Sequence, residues 1–163
     1  MKKFRIVLAA FATFLCLAAL TACGVSMEET DVSFDDIVCV YEIYPLLGSE
    51  PPTSYTVYAD NTVEVFCNTE WYNDKEGGGE WELDRRFAIS DEERSAIENS
   101  ITQSKLWTVY DCSDNGVTDG TNEFIYLCDA DGEVIHTCGG YNPTDKRFRE
   151  AADLILRTAR AHS

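Results

Sequence analysis

Two short segments of this chain alternate apolar and polar residues on either side of a tight polar turn. Residues 54–59 and 62–67 flank Asp60-Asn61, and every second residue of each segment is apolar. A period of two is typical of half-buried strands, and a turn this short joins only antiparallel neighbours. The pattern therefore predicts a β-hairpin whose apolar side chains share one face.

The rest of the chain extends this pattern to a layered domain. Further strands are predicted at 37–44, 81–88, 123–128 and 133–138, with a loop at 129–132 joining the last two and Gly139-Gly140 ending the last strand. Amphipathic helices are predicted after strand 81–88 and at the C-terminus, in the order β-β-β-β-α-β-β-α. Two helices can cover one face of a mainly antiparallel sheet of about six strands. The predicted fold class is α+β.

Capping signals mark where both helices begin. Ser90 and Glu93 have the spacing of a capping box, in which each side chain bonds the other's backbone N–H. Asn142 followed by Pro143 suits the cap and first position of the second helix. We therefore expect helices that start next to Ser90 and Asn142.

The N-terminus has the layout of an export signal. Three of the first five residues are basic, and residues 6–20 are apolar apart from Thr13. This run is shorter than the roughly 18–20 residues that span a bilayer. It ends in Leu-Thr-Ala-Cys at 20–23, which resembles the lipobox of bacterial lipoproteins. The resemblance implies that the Cys23 thiol receives a diacylglyceryl group and that the chain is cleaved just before Cys23, which then carries the lipid's acyl chains.

This resemblance predicts the organisation of the whole chain. Residues 1–22 are a signal peptide, 23–36 a flexible acidic tether, and 37–161 a single domain. Two or more acyl chains anchor a protein stably, so the predicted location is the extracytoplasmic face of the cell membrane, with the lipid bilayer as a partner.

The net charge of the chain limits which other classes of partner it can bind. The chain has 13 Lys and Arg against 29 Asp and Glu, a formal charge of −16. Removal of residues 1–22 takes away three basic groups and no acidic ones, so the mature chain is more acidic still. Nucleic-acid binding needs clustered basic residues, and the composition argues against it.

The domain also resembles small uncharacterised domains of bacterial lipoproteins. The shared motifs are the hairpin pattern Tyr-x-Val-Tyr-x-Asp-x-Thr-Val at 55–63, the helix opened by Ser90, and Gly-Gly-Tyr-Asn at 139–142 before the last helix. These motifs are structural, and the resemblance implies a fold but no activity.

Aromatic residues suggest a binding surface. Trp71 and Tyr72 lie in a loop that contains three consecutive glycines, and aromatic side chains on loops can bind sugars or proteins. Trp81 shares its phase with Leu83 and Phe87, so we expect it to face the core. The predicted binding residues are Trp71 and Tyr72, with an envelope protein or a glycan as partner.

One loop approaches a calcium motif. Asp111, Ser113, Asn115 and Asp119 occupy oxygen-ligand positions, but the twelfth position is Asn122 where a glutamate is typical. An ordinary polar loop with an Asn-Gly turn explains the sequence better. We expect no cofactor, with Ca²⁺ as the alternative.

Catalytic signals are sparse. The chain has only two histidines, and neither lies in a recognised nucleophile or zinc motif. Abundant acids leave carboxylate-based hydrolysis open. The sequence favours a non-catalytic binding or accessory module, with a cell-envelope hydrolase as the alternative.

Five cysteines remain in the mature chain after Cys23: Cys39, Cys67, Cys112, Cys128 and Cys138. A three-residue loop at 130–132 would place Cys128 opposite Val134 and Cys138 opposite Phe124. These thiols would be too far apart along the strands to bond. We therefore expect no obligatory disulfide.

Overall fold

A six-stranded antiparallel sheet and two helices form the two layers of the domain. The structure is a computed structural model that describes residues 32–46, 50–71, 79–114, 116 and 120–162. The order β-β-β-β-α-β-β-α confirms the predicted α+β class. The elements are β1 Ile37–Pro45, β2 Thr53–Tyr58, β3 Thr62–Cys67, β4 Glu82–Ala88, α1 Asp91–Ser104, β5 Thr121–Cys128, β6 Val134–Tyr141 and α2 Lys146–Ala161, with a short 3₁₀ turn at Leu106–Thr108.

The strand order in the sheet is β4-β3-β2-β1-β5-β6, and every neighbouring pair is antiparallel. The first strand in sequence therefore lies inside the sheet, between β2 and β5. Consecutive hairpins place β2, β3 and β4 on one side of β1, and the β5–β6 hairpin lies on the other.

The hydrophobic core lies between one face of the sheet and the helices. Val57 pairs with Val63 and Tyr55 with Val65, so the predicted hairpin face is confirmed. Among the largest fully buried side chains of this core are Tyr41, Ile97, Ile101, Leu106, Ile125, Leu127, Phe148 and Ile155. We call this side of the sheet the covered face and the other side the open face.

The β2–β3 turn has three residues, one more than predicted. Tyr58 ends β2 and Thr62 begins β3. Asn61 adopts a left-handed φ of 69°, a conformation that asparagine tolerates better than most residues, and Asp60 accepts a 2.9 Å bond from the Thr62 N–H.

A β-bulge in β4 corrects the prediction for Trp81. Val65 pairs with Arg85 but the next residue, Phe66, pairs with Leu83, so Asp84 is an extra residue. An extra residue shifts the alternation of a strand by one. Phe87 consequently contacts the core, whereas Leu83 is 52% exposed and Trp81 contacts Tyr44 on the open face.

The two glycines that were predicted to end β6 lie inside it. Gly139 and Gly140 have φ values of 130° and 134°. A Cβ on Gly139 would lie 2.0 Å from the Glu123 carbonyl oxygen, and one on Gly140 would lie 2.2 Å from Ser113 Oγ. Close approach of neighbouring atoms, and not strand termination, explains the pair.

The capping prediction is confirmed for α1 and wrong for α2. Ser90 Oγ accepts a 3.2 Å bond from the Glu93 N–H, and Glu93 accepts a 2.8 Å bond from the Ser90 N–H. The cap of α2 is Asp145, which accepts bonds from the backbone of residues 147 and 148. Asn142 has a left-handed φ of 45° and its N–H donates to the Thr121 carbonyl, so it belongs to the preceding turn.

Residues 32–36 were predicted to be part of the tether, but they contact the domain. Val32 and Phe34 pack against the core, and the Ser33 N–H donates a 3.0 Å bond to the Cys128 carbonyl. Packing of these apolar side chains moves the start of the domain from Ile37 to Val32. Cys23 and residues 24–31 lie outside the described residues.

All five cysteines of the described residues are free thiols. Cys128 pairs with Val134 as predicted, but Cys138 pairs with Ile125 and not with Phe124. The reason is a second bulge, because Ile135 is an extra residue between the partners of Leu127 and Cys128. The separation of the two thiols along the hairpin remains several residues.

Candidate functional site: the open face of the sheet

The open face carries a concentration of aromatic side chains. Within the described residues, no helix packs over it, since both helices contribute to the core on the covered face. Strand alternation and ring contacts place the following aromatic residues there: Tyr44, Tyr58, Phe66, Trp71, Trp81, Phe124, Tyr126 and Tyr141. Uncovered sheet faces are usually polar, so this composition marks the face as a candidate binding surface.

Tyr44 is the centre of the aromatic cluster. Its ring centroid lies 5.2 Å from that of Trp71, 6.1 Å from Trp81 and 6.3 Å from Phe124. These separations are in the range of favourable aromatic contacts, which hold the rings in fixed relative positions. The cluster therefore joins β1, β5 and both ends of the loop between β3 and β4.

Asn68 holds the ends of that loop together. Its side chain is buried, and its Nδ2 donates a 2.8 Å bond to the Gly79 carbonyl, while the backbone carbonyl of Asn68 accepts a bond from the Trp71 N–H. This explains how Trp71, one of the two predicted binding residues, comes to lie beside Tyr44. Tyr72 lies outside the described residues.

A carboxylate lies at the base of the cluster. Glu42 Oε2 accepts hydrogen bonds from the hydroxyls of Tyr44, at 2.7 Å, and Tyr126, at 2.8 Å. The pKa of Tyr44 is raised, mainly by burial and secondly by the hydrogen bond to Glu42. Burial also raises that of Tyr126, together with the neighbouring Glu42 charge. Both hydroxyls therefore remain donors, and within the described residues Glu42 Oε1 has no hydrogen-bond partner.

A second carboxylate on this face, Glu64, is ionised and paired with a basic side chain. Glu64 accepts a 2.7 Å bond from Arg86 Nε and a 2.9 Å bond from the Tyr58 hydroxyl. The Arg86 hydrogen bonds, followed by that of Tyr58, lower the pKa of Glu64. Glu64 is thus an ionised, paired group in β3.

Strand pairing aligns several of these residues in one row across the sheet. Ser54 pairs with both Glu42 and Phe66, Glu42 pairs with Phe124, and Phe124 pairs with Gly139. Beyond β6, Asp111 forms an isolated bridge with Gly139. In order from β4, the row is Leu83, Phe66, Ser54, Glu42, Phe124, Gly139 and Asp111.

Three separate depressions each contain at least one residue of this row, and we call the three together the cross-strand groove. The first, of about 200 Å³, is lined by Glu42, Ser54, Phe66 and Trp81. The second, of about 260 Å³, lies between Tyr44, Trp71 and Phe124, and the third, of about 430 Å³, extends from Phe124 to Asp111. Tyr44 stands between the first two, and Phe124 belongs to the last two. A linear ligand that crosses the strands would fit such a series.

The predicted calcium loop is only partly described. Asp111 Oδ1 accepts hydrogen bonds from the hydroxyl and the backbone N–H of Ser113. The bond from the hydroxyl, followed by the bond from the N–H, lowers the pKa of Asp111. Asn115 and Asp119 lie outside the described residues, and no group of three or more His, Cys, Asp or Glu side chains able to hold a metal occurs within the part that is described. The calcium site stays a prediction.

Other titratable groups take part in packing. His136 Nε2 lies 2.6 Å from the Val109 carbonyl, so this nitrogen must donate, and the ring packs edge-on against Tyr110. On the covered face, Glu123 accepts bonds from Tyr41 and, at 2.7 Å, from Arg149. Neither group faces the cross-strand groove.

No motif directly indicated Glu42, Phe124 or Tyr126 as candidate binding residues. The available signal was that β1 and β5 are apolar or aromatic in both phases, as in Tyr41 against Tyr44. Such strands usually belong to sheets covered on both sides, so a strand of this kind with no second layer points to a ligand surface.

Comparison with known proteins does not assign the chain to a family. No protein-family model matches the chain, and no curated protein matches it. Among the described residues, no helix is long and apolar enough to cross a membrane.

Proposed function

We propose that this protein is a membrane-tethered extracytoplasmic lipoprotein, anchored through acyl groups on Cys23, that acts as a non-catalytic binding or accessory module of the cell envelope. The complete export and lipobox sequence supports the location. The cross-strand groove supports the activity, because aromatic rings and a carboxylate line a surface that no described element covers. The single observation that carries the proposal is the Tyr44–Trp71–Trp81 cluster over Glu42.

The carboxylates of the open face favour binding over the alternative, a hydrolase. A glycoside hydrolase needs one protonated carboxylic acid as general acid, usually with a raised pKa. Hydrogen bonds lower the pKa of both Glu64 and Asp111, which therefore remain ionised near neutral pH. Groups of this kind orient and hold a ligand but do not protonate it.

The test is retention of envelope material by an immobilised mature chain, residues 23–163, with Cys23→Ser to prevent lipidation. Trp81→Ala removes a groove ring, and we expect it to abolish most specific retention. Tyr110→Ala is the matched control, because Tyr110 is a 62% exposed aromatic residue that packs on His136 of the covered face. Equal retention by the wild type and Trp81→Ala would contradict the proposal.

A further inference from the structure

The cross-strand groove has negative charge and no described positive charge. Glu42 lines its first depression and Asp111 its third. The described lining residues include no Lys, Arg or His. Arg86, a basic side chain of the open face, is bonded to Glu64. A cationic ligand in this groove would therefore meet two carboxylates and no described basic side chain.

The surroundings of Glu42 suit a cation. Two tyrosine hydroxyls hold its Oε2, and Oε1 has no partner within the described residues, so one oxygen is available to a ligand. Trp81 lines the same depression, and Tyr44 lies against Trp81. Aromatic faces beside a carboxylate bind guanidinium and ammonium groups by cation–π attraction as well as by charge.

The spacing of the two carboxylates defines the ligand further. Glu42 and Asp111 are three steps apart in one row, with Phe124 and Gly139 between them. At about 4.8 Å per step, their backbone positions are roughly 14 Å apart. An extended polypeptide covers this distance in about four residues at 3.3–3.6 Å each. Gly139 has no side chain to obstruct the path.

We propose that the cross-strand groove binds a basic, extended segment of a partner protein, with one cationic side chain at Glu42 and another about four residues away at Asp111. This inference rests on the proposed function and names its ligand class. Charge complementarity selects the occupant, since the net charge of this chain is −16. The chain's own segment 24–31 contains Glu28, Glu29 and Asp31 and no basic residue, so it would be repelled.

The test compares two peptides, Arg-Gly-Ser-Gly-Arg and Gln-Gly-Ser-Gly-Gln, with blocked ends. Each is titrated into ¹⁵N-labelled mature chain carrying Cys23→Ser, and amide shifts report both location and affinity. We expect the arginine peptide to shift amides of β1, β5 and β6 around Glu42, Phe124 and Gly139. The glutamine peptide should bind at least tenfold more weakly, which corresponds to 1.4 kcal/mol.

Charge-removing variants locate the contacts. Glu42→Gln should weaken binding of the arginine peptide about tenfold, and Asp111→Asn about threefold to tenfold, because each removes a charge-assisted hydrogen bond. Glu92→Gln removes one exposed charge from α1 and should change affinity less than twofold. The amide spectrum of each variant reports its fold, and Asp111→Asn keeps the oxygen that Ser113 bonds, so it tests the proposal even if Glu42→Gln unfolds.

Equal affinity for the two peptides, or equal loss in Glu42→Gln and Glu92→Gln, would overturn the inference. A tetramer of N-acetylglucosamine that shifts the same amides independently of Glu42 would also overturn it, while leaving the groove as a binding surface. Retention of envelope material that depends on Trp81 but not on Glu42 would likewise overturn the inference and leave the groove as a binding surface. Failure of the proposed function itself is a separate result, namely retention that does not depend on Trp81.

Discussion

At the residue scale, hydrogen bonds set the charge of the open face. Glu64 is only 6% exposed, yet Arg86 and Tyr58 keep its carboxylate ionised. Burial of a charge is tolerated when its hydrogen bonds are satisfied, and it becomes costly when one partner is removed. The stability of the domain should therefore depend on pH through this side chain.

The pKa of folded Glu64 is lowered below its ordinary value of 4.5. Its ionised form therefore contributes stability above about pH 4.5, and this contribution is lost as the pH falls through the lower folded pKa. Urea unfolding from pH 7 to pH 3 should show that Glu64→Gln flattens the acid decline of the unfolding free energy. Glu92→Gln is the control, and an unchanged decline in Glu64→Gln would contradict the prediction.

Two features require glycine at position 139: a positive φ and the close approach of the β5 backbone. Gly139→Ala should destabilise the domain by about 3 kcal/mol or more, because strain and overpacking each cost about 1–3 kcal/mol. Gly132→Ala has a φ of 79° to accommodate, but its Cβ meets nothing closer than 3.9 Å, so it should cost only about 1–2 kcal/mol. Chemical denaturation of both variants measures the difference, and equal losses would contradict the close approach at Gly139.

At the element scale, regular periodicity made the sheet predictable and bulges limited the prediction. All six strands and the capping box at Ser90 follow from alternation and capping rules. The phase of Trp81 could not be inferred, because the extra residue Asp84 leaves no mark in the pattern. The same holds for Ile135 and the partner of Cys138.

The candidate site was harder to predict than the fold. Trp71 was identified from its loop, but its neighbours come from strands far apart in sequence. Glu42 and Tyr126 become neighbours only when β1 and β5 pair. Long-range pairing is a tertiary property that local sequence patterns do not encode.

The capping box of α1 gives a test at this scale. Ser90→Ala should lower the unfolding free energy by about 1 kcal/mol, because the Glu93 N–H loses its acceptor. Ser95→Ala, in the interior of the same helix, is the matched control and should be neutral or slightly stabilising. Thermal melts that show equal effects for the two variants would exclude a capping contribution.

At the scale of the whole molecule, the resemblance of residues 20–23 to a lipobox predicts that a lipid on Cys23 attaches the domain to a membrane. Cys23→Ala should prevent acylation and maturation, since the thiol is the only site for the diacylglyceryl group. Metabolic labelling with a fatty-acid probe, followed by separation of membrane and soluble fractions, measures this. Cys39→Ala retains Cys23 and should label normally, whereas undiminished label in Cys23→Ala would refute the anchor.

The free thiols predict that stability does not depend on oxidation. Burial raises the pKa of Cys39 and of Cys138, the latter to about 12, so both are unreactive thiols near neutral pH. The non-reduced chain of residues 23–163 with Cys23→Ser should bind five equivalents of an alkylating agent after denaturation. Its melting temperature should be unchanged by reductant, and a stoichiometric loss of two thiols or a large drop on reduction would disprove this.

The central position of β1 has a consequence for how the domain reaches its native state. β1 is the first strand in sequence, yet one of its two partner strands follows much later, as Glu42 and Tyr126 are 84 residues apart. Contacts of such long sequence separation slow folding, because a large loop must close first. Pairing of β1 with β5 therefore closes a long loop, and a chain interrupted before β5 would leave one edge of β1 unpaired and prone to aggregation.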